Sequence, residues 1–509
     1  MTKQRWWHPM PWVFLSVWLL LMAVGPTRLF RDPGTFWHTR VGELLWQEGF
    51  FRQDPFTFTF SGNVWIPHQW LGEICMAWLY WWGGFHLQLW VTATLLAGIF
   101  AFLSQRFLTA GWHPVAVVAA VAVALAAAGT HFHVRPHLMT IVGMTLIAGM
   151  LADVETGRIP LRRLGWLIPL LAIWANIHGG ALGGWGTLLL TFGGWSVLWL
   201  VGGPSPVRHW YDLILLVGVL LLPPLLVLAN PYGWDLFRAW QAILDEPILR
   251  QIIQEHRPLS ASDPAAWPVW LLIAGYGLLL LGLPVRNWRV TWFVPLLWAI
   301  QAVERCRHAA LFVVVAVPIL AAVWPQTYWA RKAQSTRPDW FRPGPWVTPC
   351  PWRAWILPLS VLLVSLALPW GGIPLPPLHS PGAIPSAKEW PIGVLPVLQA
   401  EQHSWHLPAR LFNDYRDGGF VIFFAPRYRI FVDDRCELFG GEWLQAFVLA
   451  ASDDVRATQA IPQWEERYGT FDYALVRHNT PFARYFAARP QQWELLAQDA
   501  LAAFYRRRP

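Results

Sequence analysis

Charge is what this chain has least of. Of its 509 residues, 13% are Asp, Glu, Lys or Arg, against roughly 25% in an ordinary soluble domain. The deficit is uneven. Long apolar runs fill residues 11 to about 371, and the tail behind them has ordinary charge density. That contrast predicts one membrane domain followed by one small soluble domain.

Cysteine is scarce too. Cys75, Cys306, Cys350 and Cys436 show no metal-binding spacing. A Cys306–Cys436 disulfide is open if both thiols face outside, and so is the alternative of unpaired thiols. There is no Walker loop, no dinucleotide glycine fingerprint on a strand–helix unit and no HExxH. The first apolar run follows Lys3 and Arg5 and lacks a clear small-residue cleavage site, so it reads as an anchor. No internal repeat is evident.

What the chain has in abundance is Trp, with 38 residues. Trp favours the membrane–water interface, where its ring is partly apolar and its N–H stays wet. The net charge of +8 does not point to nucleic acid, because the basic residues are scattered through loops and form no stripe with aromatics. Basic loops beside a bilayer set orientation and meet anionic headgroups.

A bilayer core takes about 20 apolar residues per helix. Spans are predicted near 11–30, 85–105, 113–130, 138–152, 163–177, 181–202, 210–229, 266–283, 289–303, 309–325 and 354–371, eleven in all. The short apolar stretch 70–82 reads as an interfacial helix. With the N-terminus in the cytoplasm, the cytoplasmic turns hold Arg106, Arg158, Arg162, Arg163, Arg208, Arg286, Arg289, Arg331, Lys332, Arg337 and Arg342. Arg28, Arg31, Arg40 and Arg52 fall on the other side, so the bias is modest. The domains expected are 1–371 in the membrane, with a first outer loop at 31–70, a Pro- and Gly-rich linker at 372–385, and an extracytoplasmic α/β domain at 386–509.

This topology collects the unusual residues on one side. The outer face receives 31–70, "HFHVRPH" at 131–137, "NIHGG" at 176–180, the loop opening "NPYGWDLF" at 230, and "ERCRHAA" at 304–310. Ionisable groups at membrane depth are costly and usually line a path or a site. Asp32 directly follows the first span, level with a lipid headgroup. It suits a general base or a divalent-metal ligand, or a solvated loop Asp paired with Arg31 or Arg28. His38, Asp54 and His68 are candidate substrate contacts in the same loop, although Asp54 before Pro55 also reads as a turn and His68 as a helix cap. Arg135 and His137 flank Pro136, which forces a turn. Arg135 suits a phosphate or diphosphate or a snorkelling role. Asn176 and His178 end a span, and Gly179 and Gly180 allow close helix packing. Arg305 and Arg307 either pair with Glu304 or neutralise a leaving phosphate.

In the tail, "RLFNDYRDGGFVIFF", "RIFVDDR" and "FDYALVRH" read as strands, "PFARYFAARP" as a helix and "WELLAQDALAAFYRR" as a strand or hairpin. Asp433, Asp434 and Arg435 sit at a strand end, where a binding crevice competes with a plain turn as the explanation.

The stretch "RDPGTFWHTRVGELLWQEGFFRQDPFTFTFSGNVWIPHQWLGE" resembles the first extracytoplasmic loop of class C fold (GT-C) glycosyltransferases. These include protein mannosyltransferases, lipid A aminoarabinose transferases and the catalytic subunit of oligosaccharyltransferase. Asp32 holds the place of the group's acidic residue after the first span. The chain is more closely similar to a poorly characterised bacterial membrane protein family in "RPHLMT", "WANIHGG", "NPYGWDLF", "ERCRHAALFVVVAVP" and "FNDYRDGGF…FVDDR". The resemblance spans nearly the whole chain. It implies an inner-membrane enzyme of the cell envelope that takes a sugar, hexose or pentose, from a polyprenyl phosphate carrier. The acceptor, a glycan, lipid or protein, attacks on the extracytoplasmic face with inversion. Asp32 would be base or ligand to Mg or Mn, and Arg135, His137, Arg305 and Arg307 would hold the donor phosphate. His38, Asp54, His68, Asn176 and His178 would contact substrate. The chain departs from the pattern where residue 31 is Arg and residue 33 is Pro, so the doubled acidic motif is missing. The Trp81–Trp82 pair is followed by Gly83 in place of Asp, which argues against protein N-glycosylation. Two other readings stay open. One is a non-catalytic membrane scaffold presenting the tail. The other is a transporter or flippase for a lipid-linked glycan, against which stand the lack of related halves and of mid-span polar residues.

Overall fold

The computed structural model describes residues 7–245, 256–284, 288–341, 344–348, 350–370, 385–404 and 408–509. The linker expected at 372–385 lies outside them except for its last residue. Among the described residues, eight helical segments are long and apolar enough to cross a membrane: Pro9–Arg28, Trp70–Thr109, Pro114–His131, Leu138–Glu155, Ala181–Leu200, Trp210–Val227, Pro264–Leu281 and Cys306–Gln326. We label α1 (Pro9–Arg28), α2 (Gly34–Gln47), α3 (Trp70–Thr109), α4 (Pro114–Ala128), α5 (Leu138–Glu155), α6 (Leu167–Ile177) and α7 (Ala181–Leu200).

The architecture is the expected one, a polytopic helical bundle with a small C-terminal sheet domain. Three of the eleven expected spans form shorter helices: α6, Val294–Glu304 and Ile356–Trp370, of 11, 11 and 15 residues. Each continues a 3-10 turn, Leu161–Trp166, Val290–Phe293 and Trp352–Trp355 respectively. Two of them end as expected, at Ile177 and Glu304, and for a visible reason. His178 turns extended (φ −160°, ψ 135°) after α6, and Arg305 does the same (φ −144°, ψ 111°) after Val294–Glu304. Both breaks put candidate residues on irregular backbone.

The core runs along Ala309–Val323, which is hydrophobic all round and therefore central. Phe312, Val313, Val314, Val315, Ile319 and Val323 are fully buried. The helix Trp210–Val227 instead leaves Leu221, Leu222, Leu225 and Leu226 exposed, an apolar face that only lipid would cover at low cost. At the far end of α5, Glu155 is satisfied by protein groups. It accepts from Trp195 Nε1 at 2.8 Å, Val290 N at 2.9 Å, Thr291 N at 3.0 Å and the Thr291 hydroxyl. Arg106 pairs with Asp153 there at 2.7 Å. This end is a structural clasp.

Helix α3 breaks at Gly83 and Gly84. Gly84 sits at φ 60°, ψ −161°, a region essentially closed to other residues. The arm 70–82 is thus set off from the span that follows it. Residues 34–47, expected only as loop, form α2, a helix lying over that arm. Cβ atoms cannot fit at Gly42, whose Cα faces the Glu73 backbone.

The tail carries a five-stranded sheet in the order β2-β1-β3-β5-β4. Its strands are β1 (Arg410–Asn413), β2 (Arg429–Ile430), β3 (Tyr473–Arg477), β4 (Trp493–Gln498) and β5 (Ala502–Arg507). The parallel pairs are β1–β2 and β1–β3, and β5 lies antiparallel between β3 and β4. One expected strand is corrected: "GGFVIFF" is the helix Gly418–Phe424. A short apolar run does not by itself distinguish strand from buried helix. Here the helix packs on α2, with the Phe36 ring 5.9 Å from Phe420 and 5.6 Å from Phe424.

The tail and first loop are one joint. Ile430 N donates to Phe56 O at 3.0 Å and Phe58 N donates to Ile430 O at 3.1 Å, so the loop extends the sheet past β2. Trp390 is fully buried and donates to Phe30 O at 2.7 Å, satisfying a carbonyl just past α1. No disulfide joins Cys306 and Cys436. The Cys436 Sγ lies 3.0 Å from Tyr415 Oη.

Candidate functional site

The site forms where chain breaks meet. Asp32 lies in the turn between α1 and α2. Its Oδ1 accepts from Gly34 N at 2.8 Å, placing a carboxylate at the positive end of α2. The same carboxylate faces Arg135, whose Nη1 is 3.2 Å from Oδ1 and 3.0 Å from Oδ2. So Asp32 is neither solvated nor paired with Arg31. Arg31 donates to Thr130 O at 2.6 Å instead. Two ties hold the turns together: Val134 N to Leu29 O at 3.1 Å, and Thr35 Oγ1 to Val134 O at 2.8 Å. Gly34 belongs here for space, since a Cβ would meet Arg135 Nε and Asp32 Oδ1, each at 2.8 Å.

Around this pair stand four histidines. His38 on α2 is fully buried, its ring centroid 3.6 Å from that of Trp37, and its Nδ1 lies 2.9 Å from Glu73 Oε1. The His38 Nε2 has no hydrogen-bond partner. His137 Nε2 meets His131 O at 3.0 Å, and its ring is 6.4 Å from that of His178. His178 Nδ1 meets Thr140 Oγ1 at 2.8 Å and accepts from Gly180 N at 3.0 Å. His68 lies next to Gln69 Nε2 at 3.2 Å and within electrostatic reach of Glu437 and Arg135.

Burial pushes the imidazoles of His38, His68, His137 and His178 below the usual histidine range, and the charge on Arg135 adds to it. His137 falls to about 4. At neutral pH these rings are neutral donors and acceptors. Asp32 is pulled the other way. Burial would raise its pKa, but Arg135, His133 and the Gly34 N–H outweigh burial and hold it at about 2. Asp32 is therefore a firm anion beside a fixed guanidinium.

The remaining segments close the rim. Asn176 Oδ1 accepts from Trp70 Nε1 at 2.8 Å, fixing the arm 70–82 to the end of α6. Trp240, from the segment after "NPYGWDLF", packs on Gly179, where a Cβ would lie 3.1 Å from its Nε1. Arg307 Nη1 lies 2.6 Å from His256 Nε2, and its charge reaches His178. Arg305 sits on the extended break, its carbonyl accepting from His308 N at 2.9 Å. Asp32, Arg135, His137, His38, His68, His178 and Arg307 thus come together.

Asp54 does not join them. It is buried in the joint with the tail, where it accepts from Phe56 N at 3.2 Å and Thr57 N at 2.9 Å. It also forms an ion pair with Arg435 at 2.8 Å. Arg435 pairs in turn with Asp433 at 2.6 Å and lies 4.5 Å from the Trp65 ring centroid.

Sequence reasoning left out three members of the site. Glu73 and Trp37 carry no sequence signal for a role, and Asp434 reads as a crevice or a turn residue. Trp37 Nε1 donates to Asp434 Oδ1 at 2.8 Å. Burial and the neighbouring Asp32 raise Asp434 to about 8. The Asp-Asp-Arg run at a strand end was the signal available.

A divalent cation does not suit Asp32 as placed, because both of its oxygens face Arg135 and one also holds a backbone N–H. Among the described residues, no three His, Cys, Asp or Glu side chains are grouped to hold a metal ion.

No protein-family model matches the chain, and no curated protein matches it. Among solved structures it is similar to ArnT from Cupriavidus metallidurans, crystallised bound to undecaprenyl phosphate. The two share 14% identity, 97% of each chain is covered, and the TM-score is 0.44. A likeness of that degree says nothing about the reaction.

Proposed function

We propose that this protein is a membrane glycosyltransferase that moves a sugar from a polyprenyl-phosphate donor to an acceptor on the extracytoplasmic face. The observation that carries the reading is the Asp32–Arg135 pair at the end of the first span, ringed by four neutral histidines and Arg307. The donor's tail would stay in the bilayer. Its phosphate would meet Arg135, which keeps a side chain one-quarter exposed and offers a fixed donor fork. Arg307 and His137 lie close by for the charge that gathers on the leaving phosphate. The neutral imidazoles suit sugar hydroxyls, which need both donors and acceptors. Arg305, Asn176 and His178 would line the path to the acceptor. The tail, locked to the first loop, would cover the crevice.

The test is a pair of measurements on the full chain in lipid nanodiscs. The first is binding of undecaprenyl phosphate against undecaprenol. The second is transfer of radiolabelled sugar from polyprenyl carriers charged in membranes. Phosphate-dependent binding that weakens at least about tenfold in Arg135→Gln, one charge-assisted contact's worth, together with transfer abolished in the same variant, is the expected result. Equal binding of phosphate and alcohol, or transfer untouched by Arg135→Gln and Asp32→Asn, would sink it. Full tolerance of both substitutions is what the scaffold reading expects.

A further inference from the structure

Beside the Asp32–Arg135 pair stands a second carboxylate that comes from the other domain. Asp434 follows β2 and lies between two locked neighbours. Asp433 and Arg435 are 0% and 1% exposed and are paired with each other, and Arg435 pairs with Asp54 as well. The Asp434 backbone is therefore held as firmly as the joint itself. A Cβ at Gly418 would lie 2.7 Å from Asp433 Cβ, and one at Gly419 would crowd Pro33 and Trp37. The tail helix seats the Asp434 turn directly against the start of α2.

The two carboxylates are held differently. Asp32 spends Oδ1 on Gly34 N and Arg135, and Oδ2 on Arg135 again. Among the described residues, the Asp434 carboxylate accepts one hydrogen bond, from Trp37 on Oδ1, and its Oδ2 takes none. Asp434 is half-buried, and Oδ2 is not among the enclosed side-chain atoms left without a partner.

On the glycosyltransferase reading above, we infer that Asp434 accepts the proton of the attacking hydroxyl, and that Asp32 is a positioning residue that holds Arg135. The step balances without a co-reactant. In the ionised form of Asp434, the acceptor O–H proton passes to its Oδ2 as the acceptor oxygen bonds to the anomeric carbon. The bond from that carbon to the carrier phosphate breaks, and its electron pair leaves on the phosphate, facing Arg135.

The surroundings of Asp434 support the assignment. Burial and the charges of Asp32 and Asp433 raise its proton affinity, against Arg135 and the Trp37 N–H, to about 8. Tyr415 and Cys436 also face it, and burial keeps both neutral. A base works best with a pKa near the operating pH, and Asp32, held at about 2, is far from it.

The experiment compares wild type, Asp434→Asn, Asp434→Glu and Asp32→Asn in nanodiscs. It reads undecaprenyl phosphate affinity, sugar turnover against pH, and the infrared signal of protonated carboxyls at pH 7. Asp434→Asn preserves the shape and the Trp37 contact. It should bind the carrier within about twofold of wild type yet lose at least about 100-fold in turnover. It should also lose one protonated-carboxyl signal that Asp32→Asn keeps. Asp434→Glu should restore part of the turnover with a displaced pH profile. Asp32→Asn should lose carrier affinity first. Turnover and pH profile unchanged in Asp434→Asn, or an unchanged infrared signal, would overturn the assignment while leaving the transferase reading standing. A wild type that transfers no sugar would overturn both.

Discussion

Asp54 and Arg435 meet at 2.8 Å with neither side chain exposed to solvent, so the first loop and the tail are joined by a buried ion pair. Asp433 completes the triad at 2.6 Å. Breaking such a pair by removing one partner leaves a charge buried without compensation. Arg435→Met should therefore cost about 3–5 kcal/mol and release the tail to protease. Arg484→Ala breaks the exposed pair with Asp454, whose side chains are 55% and 59% exposed, and should cost less than about 1 kcal/mol. Thermal unfolding with limited proteolysis of the two variants checks the contrast.

Asp32 links stability to acid. Its pKa is about 2 in the folded chain, against about 3.9 for an unperturbed Asp. The stabilisation from a depressed carboxylate is present above the unfolded value and lost as pH falls through the folded one. It is worth on the order of 2 kcal/mol and should disappear between about pH 4 and pH 2. The difference in unfolding free energy between wild type and Asp32→Asn, followed across that window, should shrink as pH falls. A constant difference would contradict the pairing.

Gly180 and Gly186 make a matched pair on either side of one helix start. A Cβ at Gly180 would collide with Thr140 Oγ1 and lie 2.8 Å from His178 Nδ1, whereas one at Gly186 meets nothing within 4 Å. Gly180→Ala should displace His178, cost about 1–3 kcal/mol and cut carrier affinity. Gly186→Ala should be stabilising by about 0.5–1 kcal/mol with affinity unchanged. Melting curves and undecaprenyl phosphate titrations of both variants decide it.

Gly84 tests the bend in α3. At φ 60°, ψ −161°, an alanine would be strained by about 1–3 kcal/mol although space is free around it. If α3 straightens to relieve the strain, the arm 70–82 swings away, and the Trp70–Asn176 contact at 2.8 Å is lost with it. A bismaleimide crosslink between cysteines placed at positions 70 and 176, long enough to replace the indole's reach, should form in the otherwise wild-type chain and fail in Gly84→Ala.

The bundle was legible because apolar length is a one-dimensional property, and the eight long helices fall where the runs do. Three of the runs form shorter α-helices because their first residues wind as 3-10 turns, Leu161–Trp166, Val290–Phe293 and Trp352–Trp355, a distinction that composition does not carry. "GGFVIFF" was misread because its partner surface on α2 lies in a segment taken for loop. Asp32 and Arg135 were each picked out, but on separate grounds. Their pairing spans 103 residues, and no spacing rule reaches that far. Asp434 resembles any turn aspartate until Trp37, 397 residues away, is seen to donate to it. Asp54 shows the reverse case, a polar residue in the right loop whose contacts turn out to be mortar.

The order of synthesis gives the shared edge at Ile430 a further meaning. Thr59 is made early, yet its hydroxyl waits for the carbonyl of Phe431, 372 positions downstream. A ribosome that stops short of Phe431 leaves the early segment without its mate. A product truncated before the tail therefore keeps an unpaired strand edge in its first loop, which only the finished chain covers.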